Sequence, residues 1–424
     1  MDESSQLHRP TIAVVGSGPS GCYTAQFLRK TWPLSEVVVF EALPTPYGLI
    51  RYGVAPDHQG TKGVTRQFDR LFERDGARFA GNVRIGTDVP FDELAGAFDV
   101  VVLATGLWGD RSLCVPQDPQ ARTIGAGLLL RGLNGYPGLS ESPGLSEPLG
   151  SRVAIVGNGN VAIDALRLLA KNREDLGGSD VDDRLLDILR PAPIEHIDII
   201  GRSKASNAKF DVTALRELGQ LPNVRFEIGD ALGDESGQVI DVLRDLAGRP
   251  ASDQAGTHQV KVTFHFGQAP TAVRYAAGKT VLDTASPTGE SPAKQFEVDS
   301  VVTAIGFTAG HDGVPADWAT RNVWRVGWLR RGPRGTIPEN RRDAKDVSDS
   351  IGEALRSGCI AMGKPGLSAI WPQIAGYVVE FGDWRRLDEH ERQVASAGRC
   401  RAKVTDLAQM LDVAFGAHRD LQLT

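Results

Sequence analysis

One pattern occurs twice in this chain and constrains its fold more than any other feature. An apolar, β-branched run ends in a glycine-rich turn, and a helical stretch follows at once. In the first copy, Thr-Ile-Ala-Val-Val at 11–15 leads into Gly-Ser-Gly-Pro-Ser-Gly at 16–21, followed by Tyr23, Phe27 and Leu28. Val-Val-Val-Phe at 37–40 then ends at Glu41. In the second copy, Arg-Val-Ala-Ile-Val at 152–156 leads into Gly-Asn-Gly-Asn-Val-Ala at 157–162, and a helix runs through Ala165, Leu166, Leu168 and Leu169. After an insertion at 172–193, the next strand, His-Ile-Asp-Ile-Ile at 196–200, ends in Gly201, Arg202, Ser203 and Lys204. Near-continuous apolar strands alternating with helices predict parallel sheets with both faces covered, an α/β fold.

Each part of the G-x-G-x-x-G turn has a physical role. Gly16 permits the tight turn, Gly18 lets a pyrophosphate approach the backbone, and Gly21 lets helix and strand pack closely. The helix N-terminus supplies N–H donors and the positive end of its dipole to phosphates. Glu41 can accept hydrogen bonds from both ribose hydroxyls and would repel a 2′-phosphate, so the first site suits FAD or NAD. In the second, G-x-G-x-x-A copy, Gly157, Asn158, Gly159, Asn160 and Val161 form the loop. Its strand ends in the cation Arg202, which suits the 2′-phosphate of NADP. Two such folds, one acidic and one basic at the ribose position, predict a resident flavin and a visiting nicotinamide that passes hydride to it.

Composition removes other classes. The net charge is −6, which argues against neutralising nucleic-acid phosphates. Cys22, Cys114, Cys359 and Cys400 are scattered, with no C-x-x-C pair. That removes the signals for zinc, for a cysteine-held iron–sulfur cluster and for a dithiol redox centre, and suits a reducing compartment. No apolar run reaches the roughly 20 residues a membrane helix needs. The opening Met-Asp-Glu-Ser-Ser has no signal-peptide character, so a cytoplasmic location is expected, with no metal, nucleic acid or membrane partner. Oligomeric state is left open.

Elsewhere, apolar runs at 99–106 and 299–306 each run out at a glycine and are expected beside the two nucleotide folds. Residues 132–150 read as a linker, 230–257 as a polar, glycine-rich loop, and 260–281 as an antiparallel meander. The basic stretch 330–345, with Arg330, Arg331 and Arg334, is a candidate docking surface for an acidic protein, and Lys204 is a further candidate contact.

The longer motifs carry a resemblance. They are the first glycine loop, the run Pro-Tyr-Gly-Leu-Ile-Arg-Tyr-Gly-Val-Ala-Pro-Asp-His at 46–58, Gly-Asn-Gly-Asn-Val-Ala-Ile-Asp at 157–164, and Gly-Trp-Leu-Arg-Arg-Gly-Pro-Arg-Gly-Thr-Ile at 327–337. In these, and over nearly its whole length, the chain resembles the adrenodoxin-reductase-type ferredoxin–NADP reductases, which are FAD flavoproteins. The resemblance implies two Rossmann-like dinucleotide-binding domains. The FAD domain is discontinuous (1–108 and 325–424), with the NADP domain (109–324) inserted. It implies FAD contacts at Ser20 (where alanine is usual), Glu41, Leu49, Ile85, Trp328, Gly335, Thr336 and Ile337. NADP contacts fall at Asn158, Gly159, Asn160, Val161, Arg202 and Gly335, with Ser203 at the second of two positions that are usually arginine. His58 and Glu217 match an ion pair near the flavin. Ala214 replaces a glutamate that contacts NADP; Lys204 or Lys209 could supply the positive charge that Ser203 lacks. The activity implied is hydride transfer from NADPH (NADH as an option) to FAD, then single electrons to an acidic, ferredoxin-type iron–sulfur protein. The alternative is a flavoenzyme acting directly on a small organic substrate.

Overall fold

The structure is a computed structural model that describes residues 9–139, 141–230, 232–249, 259–289, 291–310, 315, 318 and 321–416. The chain begins with strands β1 (Thr11–Val15), β2 (Glu36–Phe40), β3 (Arg78–Ala80) and β4 (Val100–Leu103). A short β5 (Gly109–Asp110) leads out to β6 (Thr123–Gly125), β7 (Arg152–Val156), β8 (His196–Ile200), β9 (Val224–Ile228) and β10 (Val260–His265). Three further strands follow, β11 (Ala269–Ala276), β12 (Lys279–Ala285) and β13 (Lys294–Val298). The last are β14 (Ser300–Thr303), β15 (Phe307–Thr308) and β16 (Val323–Arg325).

Two parallel sheets result. The first has the order β16-β4-β1-β2-β3 and the second β6-β14-β7-β8-β10-β9. In each, the strand that feeds the glycine turn is central: Val15 lies between Phe40 and Leu103, and Val156 between Ile200 and Thr303. Crevices at the carboxyl ends of central strands are where parallel sheets bind ligands. The antiparallel pair β5–β15 marks where the chain passes from the first sheet to the second and back.

Every residue of β1 is buried, because the sheet is covered on both faces. Ile12 and Val14 join Leu28, Val347 and Ile351 on one face, while Ala13 and Val15 join Phe40 and Phe98 on the other. Burying each such side chain is worth roughly 1.5–3 kcal/mol. The segment after β16 stays with the first sheet: Trp384, Leu387, Met410 and Ala414 belong to the same core as Ile12.

Two sequence expectations change. The stretch 230–257 contains the helix Gln238–Gly248, whose Ile240, Leu243 and Leu246 are buried at helical spacing. Polar, glycine-rich flanks hid that period; its residues 231 and 250–257 lie outside the described residues. The meander begins only at β11, because β10 joins the parallel sheet between β8 and β9. The strands expected at 99–106 and 299–306 are β4 and β14, each beside its glycine-turn strand.

Candidate active site

The first glycine turn is built by close packing. Gly16 has φ of +108°, and a Cβ there would lie 2.5 Å from Ala104 O. A Cβ on Gly21 would lie 1.9 Å from Gly16 O, whereas one on Gly18 would meet nothing within 4 Å among the described residues. Gly18 also caps the helix Pro19–Thr31 without any side-chain hydrogen bond, so the first N–H groups stay available to an anion. Glu41 accepts from Ser17 N–H (3.1 Å) and Ser17 Oγ–H (2.6 Å), which fixes it beside the turn. Burial pushes its carboxyl above the usual range, against those hydrogen bonds.

The C-terminal segment closes over this turn. A Cβ on Gly327 (φ +68°) would lie 2.1 Å from Ser20 Oγ and 3.8 Å from Asn340 Oδ1. Further along, Ser348 Oγ–H donates to Thr24 O at 3.5 Å. Helices Pro19–Thr31 and Ile337–Arg356 therefore run in the same direction and bring both positive ends to one place. Gly335 (φ +91°), the cap Thr336 and Ile337 form the second of those ends. Trp328 stacks on Phe307 (5.4 Å, 26°), and its Nε1 is a buried donor with no partner among the described residues. Leu49 opens the short helix Leu49–Tyr52 after Gly48, where a Cβ would lie 3.0 Å from Gly18 Cα. Ile85 is buried in the first sheet's core.

In the second turn Gly157 has φ of +134°, and a Cβ would lie 2.3 Å from Ala304 O, while one on Gly159 would meet nothing within 4 Å among the described residues. Ala162, at the third position, is fully buried. Asn158 Nδ2–H donates to Ser203 Oγ (2.9 Å), which ties the turn to the end of β8. Arg202 is exposed, with no ion pair to a described residue. Asn160 opens the helix Asn160–Ala170; Val161, its second residue, packs against the core. The segment after β8 is laced onto the turn, because Lys209 N–H donates to Asn158 O (2.9 Å) and Asp211 N–H to Asn160 Oδ1 (2.7 Å). Asp211 then caps the helix Val212–Leu218 through Thr213 and Ala214 N–H, and that helix carries Glu217.

The motif at 46–58 links the two turns. At one end, Tyr47, held at φ +82°, donates its N–H to Ser17 O and Ser17 Oγ, both at 3.1 Å. Such a backbone conformation in a non-glycine residue is costly and marks a constrained position. At the other end, Asp57 pairs with Arg167, on the helix Asn160–Ala170, and with its C-cap Lys171 (2.7 Å). Burial works to raise the Asp57 carboxyl, but the two cations overcome it and hold the group below its usual range. His58 therefore lands between two carboxylates, with Nε2 3.6 Å from Glu217 and Nδ1 3.6 Å from Asp164. Burial raises the Asp164 carboxyl in spite of the Arg167 and His58 charges.

The sequence reading named His58 and Glu217 and missed the residues that hold them. Asp57, Asp164 and Arg167 sat inside or beside quoted motifs, but no spacing links 57 to 164 and 167. It also missed Asp343, a buried carboxylate that accepts from Gly327 N–H (2.6 Å) and pairs with Arg330 and Arg331. Two of the cations expected to face a docking partner are thus partly neutralised by their own chain.

These sites fit the expected cofactors on the structure's own terms. Gly18 and Gly159 leave their backbones open beside unsatisfied helix N-termini, Glu41 is a fixed acceptor, and Trp328 Nε1 is an orphaned donor. Residues 14–70 match the family described as NAD(P)-binding Rossmann-like domain. The chain is 42% identical over 420 residues to the cindoxin reductase of Citrobacter braakii, covering 96% of this chain and 91% of that one. It is 30% identical over 461 residues to the mitochondrial NADPH:adrenodoxin oxidoreductase of Homo sapiens, covering 96% and 92%. The solved structure of Mycobacterium tuberculosis FprA in complex with NADPH superposes with a TM-score of 0.84 at 30% identity, covering 96% of this chain and all of that one. With these likenesses along nearly its whole length, the chain belongs to the adrenodoxin-reductase-type ferredoxin–NADP reductases, the FAD- and NADPH-dependent oxidoreductases of that type.

Proposed function

We propose that this chain draws reducing equivalents from NADPH through FAD and delivers them singly to an acidic, ferredoxin-type iron–sulfur protein. In this reading 1–108 and 325–424 hold the flavin, 109–324 hold the nicotinamide nucleotide, and the protein works in the cytoplasm. The unpaired state of all four cysteines suits such a reducing compartment. Among the described residues, no helix is long and apolar enough to cross a membrane.

Bound FAD supplies the conversion between hydride, a two-electron unit, and single electrons. The chain supplies position and charge. Gly16, Gly18, Ser20 and Gly21 shape the resident pyrophosphate cradle, and Glu41 holds the ribose. Leu49, Ile85 and Trp328 bound the flavin, with Gly335, Thr336 and Ile337 beside it at the start of the helix Ile337–Arg356, where Glu339 caps the Thr336 N–H. Gly157, Asn158, Gly159, Asn160 and Val161 receive the second pyrophosphate. Arg202 and the Ser203 hydroxyl take the 2′-phosphate. His58, gripped by Glu217 and Asp164, sets the local charge where the two folds meet and aligns the nicotinamide.

One observation carries the reading. The motif that begins on the first glycine turn ends in the second fold, where Asp57 pairs with Arg167 on the helix Asn160–Ala170 and His58 reaches Glu217 on the helix Val212–Leu218 at 3.6 Å. Stopped-flow mixing with NADPH or NADH, followed by addition of a ferredoxin, tests it. NADPH should bleach the flavin at far lower concentration than NADH, and the ferredoxin should restore the colour. Bleaching with no transfer to any ferredoxin would favour direct action on an organic substrate.

A further inference from the structure

At the end of the strand beside the second glycine turn, Arg202 is followed by the uncharged Ser203, where the resemblance implies a second arginine. Two lysines follow within six residues, and the structure separates them. Lys204 lies in the field of Glu235 and is already engaged. Lys209 is stitched to the turn itself. Its N–H donates to Asn158 O at 2.9 Å, and it forms an isolated parallel bridge with Gly159. Bridged residues lie roughly 5 Å apart, within the reach of a lysine stem. The Lys209 side chain is exposed and makes no hydrogen bond or ion pair with a described residue. An added Cβ on Gly159 would meet nothing within 4 Å among the described residues, which leaves open the side that a pyrophosphate approaches.

We propose that Lys209 is a binding residue for the visiting nucleotide and that its ammonium contacts the pyrophosphate, not the 2′-phosphate. This rests on the reading of the second turn as the nicotinamide-nucleotide site. In this reading the second cation of the site sits on the segment laced along the turn and not at the end of β8. The move has a consequence for specificity. A cation at the pyrophosphate strengthens NADP and NAD alike, so discrimination between them is left to Arg202 and Ser203. The chain should therefore bind NAD better than a relative whose two cations both face the 2′-phosphate.

Isothermal titration of the flavin-loaded protein with NADP⁺, NAD⁺ and 2′-AMP tests this without turnover. Lys209→Gln should weaken NADP⁺ and NAD⁺ by the same factor, roughly tenfold for a lost charge-assisted contact. Binding of 2′-AMP, which has no pyrophosphate, should be unchanged. Lys209→Arg should keep most of the affinity, and Lys204→Ala should leave all three ligands as they were. Arg202→Ala, run alongside, should weaken NADP⁺ and 2′-AMP but not NAD⁺. No loss in Lys209→Gln, a loss confined to NADP⁺ and 2′-AMP, or an equal loss in Lys209→Arg would overturn the assignment to Lys209. If the unaltered protein binds none of the three ligands, or Arg202→Ala changes nothing, the underlying site reading fails instead.

Discussion

The two glycine turns have the same backbone plan and opposite surroundings. The first is roofed by other parts of the chain: Gly327 presses onto Ser20, Gly48 onto Gly18, and the Tyr47 N–H onto Ser17. Its strand-end residue, Glu41, is pinned by the Ser17 hydroxyl. The second turn ends at an exposed Arg202, with the short segment 209–211 laced beside it. A ligand held under several converging segments dissociates slowly, while one that meets an open, charged edge exchanges. On the proposed function, the same local motif serves a resident cofactor in one place and a visiting one in the other, and the tertiary cover makes the difference.

The largest expected effect tests the closed turn. Gly21→Ala places a methyl 1.9 Å from a backbone oxygen, so the turn must shift. Overpacking of this kind costs roughly 1–3 kcal/mol, which weakens flavin binding about ten- to a hundredfold. Visible absorbance per mole of purified protein should fall sharply; full flavin content would break the contrast. The open turn is tested by Arg202→Ala. The Michaelis constant for NADPH should rise roughly ten- to a hundredfold while that for NADH stays put. Equal changes for both nucleotides would remove the phosphate assignment.

A third effect, on stability and not on ligand binding, concerns what holds the two folds in register. Asp180, from the inserted segment, is 2.7 Å from Lys62 of the N-terminal segment and 2.7 Å from Lys403 of the C-terminal one. Burial opposes its charge, yet the two ammonium groups hold its carboxyl down to about 2, from an ordinary 3.8. The unfolded chain therefore takes up the proton at higher pH than the folded one. This contribution is fully present above the ordinary value and is lost as pH falls through about 2. It amounts to roughly 2 kcal/mol of pH-dependent stability. Denaturant unfolding across that acid window should show the loss in the unaltered protein and a flatter profile in Asp180→Asn. The variant should also be less stable at neutral pH, because two buried ammonium groups lose their partner. Parallel profiles would show that this contact does not couple the segments.

Much of the fold was legible because its signals are local. β1, β2, β4, β7, β8 and β14 are short, doubly buried strands whose apolar runs need no partner to be recognised. The helix Gln238–Gly248 was hidden by polar flanks, and the strand direction of β10 was not readable, since an apolar run has the same pattern in parallel and antiparallel company. The site divides in the same way. His58 and Glu217 came from a resemblance, whereas their holders Asp164, Asp57 and Arg167 came only from the geometry.

By itself, then, the amino-acid order determined two nucleotide cradles and the sign of charge at each, because turn geometry, dipole and strand-end residue all lie within one βαβ unit. Only the tertiary structure decided which cradle is enclosed, which cations are spent on Asp343, and that Lys209 rather than Lys204 lies along the second turn. Those outcomes depend on contacts between segments far apart in sequence, and such contacts leave no period or spacing in the chain to read.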